Sequence, residues 1–136
     1  MLPFTPRLRL AIANAEALAS SQERLAVSPA DLLAGVLSRG SGVAVGVLKA
    51  VGFTERDAAP VAREQDTPAD SRSYDADALR ALSEAFLEAA RMSHQLVGIE
   101  HMLVGILATP SEEISAMFTQ KNIKLEELLS TLRSET

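Results

Sequence analysis

The sequence predicts an all-α protein, an eight-helix bundle made of two pseudo-twofold-related four-helix copies. Three observations lead to this prediction. Hydrophobic residues make up 47% of the 136 positions and aromatic residues only 4%, so helix-favouring Ala and Leu must supply much of the core. Apolar residues recur at three- and four-residue spacing along most of the chain. The second half of the chain also repeats the pattern of the first, with Val97 at the position equivalent to Val27.

The internal repeat is clearest in one apolar segment. VSPADLLAGVL, residues 27–37, falls on VGIEHMLVGIL, residues 97–107, without a gap, and agreement in this alignment extends over about fifty positions. Four short helices cannot bury their apolar faces alone, so the copies are expected to pack together. We therefore expect one domain over residues 1–136. Its parts are copy one at about 4–64, a linker at about 65–73 and copy two at about 74–132.

The first two helices of each copy are predicted from apolar spacing and capping residues. In copy one a stripe predicts a helix from about Thr5 to Ser21, and in copy two the matching stripe runs through Leu79, Leu82, Phe86 and Ala89. The second helix of copy one should begin at Ser28, with Pro29 at its first position and Asp31 completing a capping box.

The remaining helices follow from their start and stop signals. A third helix through Val43 and Val51 should end at Gly52, and Thr54 with Asp57 should open a short fourth helix that Pro60 weakens. In copy two, Ser111 should open the third helix and Asn122 should end it. Apolar spacing marks the last helix through Leu125, Leu128, Leu129 and Leu132.

The bulk composition argues against several classes of protein. A net charge of −5 disfavours a nucleic-acid-binding surface, and its excess lies in residues 69–136, with six basic and eleven acidic side chains, which favours a solvated acidic face. The lack of cysteine excludes disulfides and thiolate chemistry and fits a reducing compartment. No apolar run approaches the ~20 residues of a membrane span and no signal peptide is evident, so we expect a soluble, cytoplasmic protein.

Two segments resemble a known family. FTPRLRLAIANAEALA and ARMSHQLVGIEHMLVGIL are similar to the double repeat at the N-terminus of Clp-family unfoldases, whose second helix usually begins Gly-Thr-Glu-His. The resemblance covers about residues 4–132. It implies a non-enzymatic module, without cofactor, that docks substrate proteins or adaptors for an ATP-driven unfoldase feeding a protease.

The resemblance leaves two interpretations open. No phosphate-binding loop is present, because Gly40, Gly42 and Gly46 with Lys49 have the wrong spacing, so the chain is not an ATPase by itself. It is either the N-domain of a longer unfoldase or a stand-alone homologue that modulates the Clp complex or sequesters its ligands.

The resemblance also implies a candidate peptide- or adaptor-binding pocket. In the family, an acid of the Gly-Thr-Glu-His segment and a threonine that starts the first helix line a pocket for cationic or phosphorylated-arginine groups. Carried over by position, copy one has Thr5 but Ala30 in place of the acid, and copy two has Glu100 but Asp75 in place of the threonine. We therefore expect an incomplete pocket in each copy and favour ordinary peptide docking over phosphoarginine recognition. Helix capping by these side chains is the competing interpretation.

The two histidines suggest a metal site, which we disfavour. His94 is expected at the end of a helix and His101 in the first turn of the next, so they need not face one another, and His101 occupies the capping position of Asp31. A small metal protein using His94, Glu100 and His101 is the alternative from another class. No catalytic residue is assigned, and Ser93 is interpreted as a turn residue.

The segment SGVAVGVLKAVGF, residues 41–53, alternates small residues with Val and Leu. Core packing is the favoured interpretation. The alternative is an apolar groove between the copies that holds an unfolded segment or an adaptor helix.

Overall fold

The computed structural model describes residues 3–23, 26–38, 42–58 and 73–135. Within them lie seven helices: α1 Pro6–Ser21, α2 Pro29–Ser38, α3 Val43–Ala50, α4 Ala76–Arg91, α5 Ile99–Ala108, α6 Glu112–Gln120 and α7 Leu125–Glu135. Two short strands accompany them, β1 Ala26–Val27 and β2 Ser73–Tyr74. The all-α class is confirmed, with α1 to α3 of copy one repeated as α4 to α6 of copy two.

The predicted eighth helix is not among the described elements. Thr54 and Asp57 form one half of the expected capping box, since the Thr54 N–H donates to Oδ2 of Asp57 at 2.8 Å, while the Asp57 N–H donates to the Thr54 carbonyl at 3.0 Å. Residues 55–58 then make a turn. Pro60 and nearly all of the expected linker fall within residues 59–72, outside the described residues, so the eight-helix count is not shown.

Side-chain caps fix where the helices begin. The Thr5 hydroxyl accepts from the Leu8 N–H at 3.1 Å at the start of α1, and the Asp75 carboxylate accepts from the Ala78 N–H at 2.7 Å at the start of α4. The Ser28 N–H donates to Oδ2 of Asp31 at 2.8 Å, which confirms the predicted capping box of α2.

Left-handed backbone conformations recur at equivalent positions of the two copies. Gly52 has φ 87° and its counterpart Asn122 has φ 58°, so both stop signals predicted from the sequence are confirmed. Glu23 and Ser93 form a second such pair, with φ of 55° and 57°, and Ser93 lies in the turn expected for it. The backbone path is therefore duplicated even where the side chains differ.

Two glycines let neighbouring helices cross at backbone contact. A Cβ on Gly105 of α5 would meet the Ala81 carbonyl oxygen and lie 2.9 Å from the Ala85 nitrogen of α4, and Gly35 of α2 stands in the same relation to α1. Such a crossing requires small side chains facing the glycine. The faces concerned are accordingly buried and built mostly of alanine: Leu8, Ala11, Ala15 and Ala19 in α1, and Ala78, Ala81, Ala85 and Ala89 in α4.

This geometry corrects one part of the predicted stripe. Leu79 was expected on the buried face of α4 but leaves 52% of its surface exposed, while Leu82 and Phe86 are half-buried and Ala89 is fully buried. Hydrophobic spacing favoured the large side chains. The close approach of Gly105 instead places the alanine face of α4 inward.

Each copy is joined to the other by short parallel backbone pairings. The Thr5 N–H at the start of copy one donates to the Val97 carbonyl of copy two at 2.9 Å. In the reciprocal contact, the Asp75 N–H at the start of copy two donates to the Val27 carbonyl of copy one at 3.0 Å, and β1 pairs with β2. The start of each copy is therefore completed by the other copy.

A shared core lies between the copies. The rings of Phe53 and Phe118 stack with centroids 4.1 Å apart, and neither ring is exposed. Helix α5 packs against α4 of its own copy and also against α1, α2 and α3 of the other. Among the described helices, no single one is long and apolar enough to cross a membrane.

Candidate functional site

The exchange of strand pairings brings two of the predicted site residues together. Thr5 caps α1, and its N–H binds the carbonyl of Val97, immediately before the N-cap of α5, Gly98. Glu100 lies in the first turn of α5. We call this region, formed by Thr5, Val97, Gly98 and Glu100, the α1/α5 corner.

The backbone pairings between the copies do not follow the grouping within each copy that the sequence suggested. Thr5 of copy one lies beside the α5 start that carries Glu100 of copy two, and Asp75 of copy two lies beside the α2 start that carries Ala30. The threonine and the acid, which the sequence placed in different pockets, belong to the same corner. Asp75 belongs to the pseudo-symmetric corner, where the fully buried Ala30 stands in place of the acid.

Glu100 is available to a ligand at the α1/α5 corner. Its side chain leaves 39% of its surface exposed, and the carboxylate folds back so that a Cβ on Gly98 would lie 2.9 Å from Oε1. Gly98 therefore leaves room for this carboxylate at the positive end of α5. An exposed carboxylate of this kind can accept two parallel hydrogen bonds from a guanidinium.

A basic side chain near this corner was not predicted from the sequence. Arg7 lies in the first turn of α1, and its Nη2 would be 3.4 Å from a Cβ on Gly42, the N-cap of α3. The equivalent position in copy two is occupied by Asp77. The first turns of α1 and α4 therefore differ in charge, since α1 carries Arg7 where α4 carries Asp77.

The second corner forms an acidic groove of about 250 Å³, which we call the α2/α4 corner. The starts of α2, α4 and α6 converge there, and the groove is lined by Ser28, Pro29, Asp75, Asp77, Ser111, Glu112 and Glu113. Asp75 and Ser111 cap their own helices, and Asp77 pairs with Arg80 at 3.1 Å. Capping and dipole compensation account for much of this acidity without a ligand.

The two histidines meet, contrary to the expectation that they need not face one another. His94 Nδ1 lies 2.7 Å from His101 Nε2, and the Gly98 N–H donates to His101 Nδ1 at 2.8 Å. The second contact confirms that His101 takes the capping role of Asp31. Burial lowers the pKa of His101 below its ordinary value, and the Glu100 carboxylate partly offsets this effect.

The two histidines are engaged with each other and with the backbone at the start of α5. Within the described part of the chain, no group of three or more potential ligands is placed to hold a metal ion. One nitrogen of His101 is engaged by Gly98 and the other by His94. The interpretation as a capping residue therefore accounts for the polar contacts of His101.

A buried carboxylate near His101 was missed at the level of the sequence. Glu88 of α4 is 6% exposed and binds Arg91 at 3.2 Å and Arg133 of α7 at 3.5 Å. The three-residue spacing of Glu88 and Arg91 on one helix was the available signal. The contribution of Arg133 depends on the packing of α7, which local spacing does not specify.

The described part of the segment 41–53, residues 42–53, contains both buried and exposed apolar side chains. Ala44, Val45 and Leu48 are buried as the favoured interpretation requires, but Val43 and Val51 leave 60% and 44% of their surface exposed. A groove of about 330 Å³ separates α3 from the start of α7, and its lining includes Val47, Val51, Ile123 and Leu128. The rest of its lining is polar or charged, namely Lys121, Asn122, Lys124, Glu127 and Thr131, so the groove is of mixed character. Its use by a peptide or adaptor helix stays a prediction.

These features define a class of duplicated helical domain whose two copies complete each other at their starts. Residues 3–121 match the family described as the Clp repeat (R) N-terminal domain. The chain belongs to this family, which confirms the resemblance inferred from the sequence.

Solved structures show the same fold at low sequence identity. The Hsp104 N-terminal domain from Candida albicans aligns with a TM-score of 0.81 at 19% identity, over 96% of this chain and 89% of that one. The N-domain of ClpV from Vibrio cholerae aligns at 0.72 and 16% identity, over 98% and 86%. A complex of the ClpV N-domain with a VipB peptide aligns at 0.70 and 18% identity, over 98% and 90%.

Curated relatives are longer than this chain. Uncharacterized proteins of Mycobacterium tuberculosis and Mycobacterium bovis are 30% identical to it over 107 residues. That stretch is 76% of this chain and 42% of theirs, so the chain spans less than half the length of these relatives.

Proposed function

We propose that this chain is a non-enzymatic module that docks short segments of substrate or adaptor proteins for an ATP-driven Clp unfoldase. Family membership supports the general role, and the ClpV N-domain, which shares the fold, is known in complex with a peptide. The observation that carries the proposal is the α1/α5 corner. There α5, whose first turn carries the partly exposed side chain of Glu100 from copy two, begins beside the start of α1 from copy one.

The chemistry of the corner favours a basic side chain in the docked segment. Glu100 presents an exposed carboxylate, and a guanidinium matches it with two charge-assisted hydrogen bonds. The reciprocal backbone pairing of Thr5 with Val97 holds the two sides of the corner together. A ligand would therefore find the corner largely formed before it binds.

The first experiment measures binding of matched fluorescent peptides that differ at one central residue, Arg, Lys or Ala. Removing the charge with Glu100→Gln should weaken binding of the arginine peptide about tenfold or more and bring it near the alanine peptide. Asp75→Asn at the α2/α4 corner is the matched control and should leave affinity nearly unchanged. Equal effects of the two substitutions, or none from Glu100→Gln, would contradict the assignment of the docking site.

A phosphorylated arginine is the second candidate ligand. The observation in its favour is the position of Arg7. This residue lies in the first turn of α1, the helix that Thr5 caps, and its guanidinium reaches the start of α3. A fourth peptide carrying phosphoarginine tests this candidate. If it binds more weakly than the arginine peptide, the plain guanidinium is the ligand, and if it binds more tightly and loses that gain in Arg7→Gln, the phosphate is recognised.

Whether the module works within a longer unfoldase or as a free-standing modulator calls for a different measurement. We propose, as the leading role, that the module works within a longer unfoldase. Adding the purified chain to a Clp unfoldase and protease should then compete for adaptor-dependent substrates and slow their degradation. A change in the degradation of substrates that need no adaptor would favour the modulator.

A further inference from the structure

A chain of hydrogen bonds at the start of α5 fixes how its histidines are protonated. His101 Nδ1 accepts from the Gly98 N–H at 2.8 Å, so it carries no proton. In a neutral imidazole the other nitrogen then carries the proton, and His101 Nε2 donates to His94 Nδ1 at 2.7 Å. His94 must therefore also be free of a proton at Nδ1. Both rings are neutral when both bonds are made.

An added proton on either of these two nitrogens would break one of the hydrogen bonds between Gly98, His101 and His94. A proton on His94 Nδ1 would face the proton on His101 Nε2 and break the contact between the rings. A proton on His101 Nδ1 would displace the Gly98 N–H, leaving a buried backbone donor without its acceptor. In both cases a buried polar group loses its partner, which is costly in the interior of a protein.

The charged groups around the pair affect where that proton goes. Oε1 of Glu100, on α5 itself, lies 3.9 Å from His101 Nδ1 and would attract a proton there. Glu88 of α4 also favours the charged form, but Arg91 of α4 and Arg133 of α7 pair with it. A proton on Nδ1 of His101, the nitrogen that caps α5, would therefore have a carboxylate close by.

Loss of the hydrogen bond between Gly98 and His101 would also affect the backbone contact between the copies. Gly98 follows Val97, whose N–H donates to the Pro3 carbonyl at 2.8 Å and whose carbonyl accepts from Thr5. In copy one the equivalent position is Asp31, whose carboxylate accepts the corresponding hydrogen bond from the Ser28 N–H.

We propose that the Gly98, His101 and His94 chain is a proton-sensitive lock that holds the start of α5 and its pairing with copy one at neutral pH and releases them in mild acid. The lock is a property of the fold and does not depend on the proposed docking function. It is confined to copy two.

The direction of the effect on stability follows from proton uptake. Because the folded chain disfavours a charged His101, the unfolded state binds more protons as the pH falls through the ordinary pKa of histidine, near 6.5. The stabilising contribution is therefore complete at pH values above this range and is lost as the pH falls. The unfolding equilibrium constant should rise at least about threefold from pH 7.5 to 5.5.

Nitrogen NMR of the wild-type chain tests the lock directly. At pH 7.5 His101 should show the tautomer with its proton on Nε2, and as it titrates, hydrogen exchange at the Gly98 amide should accelerate at least about threefold beyond its ordinary pH dependence. Finding the proton on Nδ1 at pH 7.5 would overturn the proposal. So would a Gly98 amide that does not respond when His101 titrates.

His101→Asp is the matched variant, because it gives copy two the capping residue of copy one. Its stability should be nearly independent of pH between 7.5 and 5.5, while that of the wild type falls. If a folded His101→Asp protein keeps the full pH dependence, the lock is not its source. The NMR measurement needs no substitution, so the proposal is testable even if the variant does not fold.

Discussion

Tyr74 shows how one residue can mark a difference between two copies with the same backbone. Its counterpart is Phe4, which stacks on Phe86 with ring centroids 5.4 Å apart. Tyr74 instead donates its hydroxyl to Oε2 of Glu16, the counterpart of Phe86, at 2.9 Å. Burial, together with the Glu16 carboxylate, raises the pKa of Tyr74 to about 12. One copy therefore begins with an aromatic pair and the other with a hydrogen bond.

This contact predicts a specific loss of stability in alkali. Because the folded state holds the tyrosine proton more tightly than the unfolded state, stability is present below the ordinary tyrosine pKa of ~10 and is lost as pH rises toward about 12. Tyr74 is the chain's only tyrosine, so ultraviolet absorbance reports its ionisation directly. Tyr74→Phe should remove the part of the alkaline slope that tracks this absorbance. An unchanged slope in that variant would show that the contact between Tyr74 and Glu16 contributes nothing to the pH dependence of stability in alkali.

Residues whose roles are set by local sequence were predictable, and those set by the partner copy were not. The capping box of Ser28 with Asp31 and the contact of the Thr54 N–H with Asp57 depend on residues three positions apart, and both are present. The meeting of His94 with His101 depends on the left-handed turn at Ser93, which polar sequence alone does not specify. The grouping of Thr5 with Glu100 depends on a backbone pairing between the copies, which the local spacing of residues does not specify.

At the scale of the helix, the crossings at Gly35 and Gly105 determine which faces are buried. They place the backbones of α2 and α5 against those of α1 and α4. Periodicity and capping signals predicted the seven described helices but chose Leu79 as a core residue. Helical spacing identifies an apolar side of a helix, whereas the depth at which a neighbour approaches depends on a glycine in another helix.

The crossing predicts opposite effects for two glycine-to-alanine substitutions. Gly105→Ala adds a Cβ that meets the backbone of α4, and should lower the free energy of unfolding by about 1–3 kcal/mol or more. Gly46→Ala, within α3, meets nothing within 4 Å and should raise it by about 0.5–1 kcal/mol through helix propensity. Chemical denaturation monitored by circular dichroism measures both. A stable Gly105→Ala variant would show that α4 and α5 can separate at little cost.

The whole molecule is held together by contacts that neither copy makes alone. The two reciprocal backbone pairings and the stacked Phe53 and Phe118 all join copy one to copy two. The internal sequence repeat allowed a single domain to be expected, but not this exchange between the copies. A sequence repeat shows that two units are alike, and their contacts must be read from the structure.

This arrangement predicts one cooperative unfolding transition. Because each copy completes the start of the other, partial unfolding of one copy would expose the shared core of both. Helical circular dichroism and a probe of tertiary structure, such as the near-ultraviolet signal of Tyr74, should give the same midpoint. Two separated transitions would show that the copies are stable independently.

The reciprocal pairing has the form of an isologous interface, in which the same surface patch of each unit meets its equivalent on the other. Thr5 binds Val97 as Asp75 binds Val27, so the relation between the copies is that of two subunits of a C2 dimer connected in one polypeptide. Covalent linkage frees the two units from the identity that such symmetry imposes on a homodimer. One unit could therefore acquire Glu100 and His101 where the other has Ala30 and Asp31.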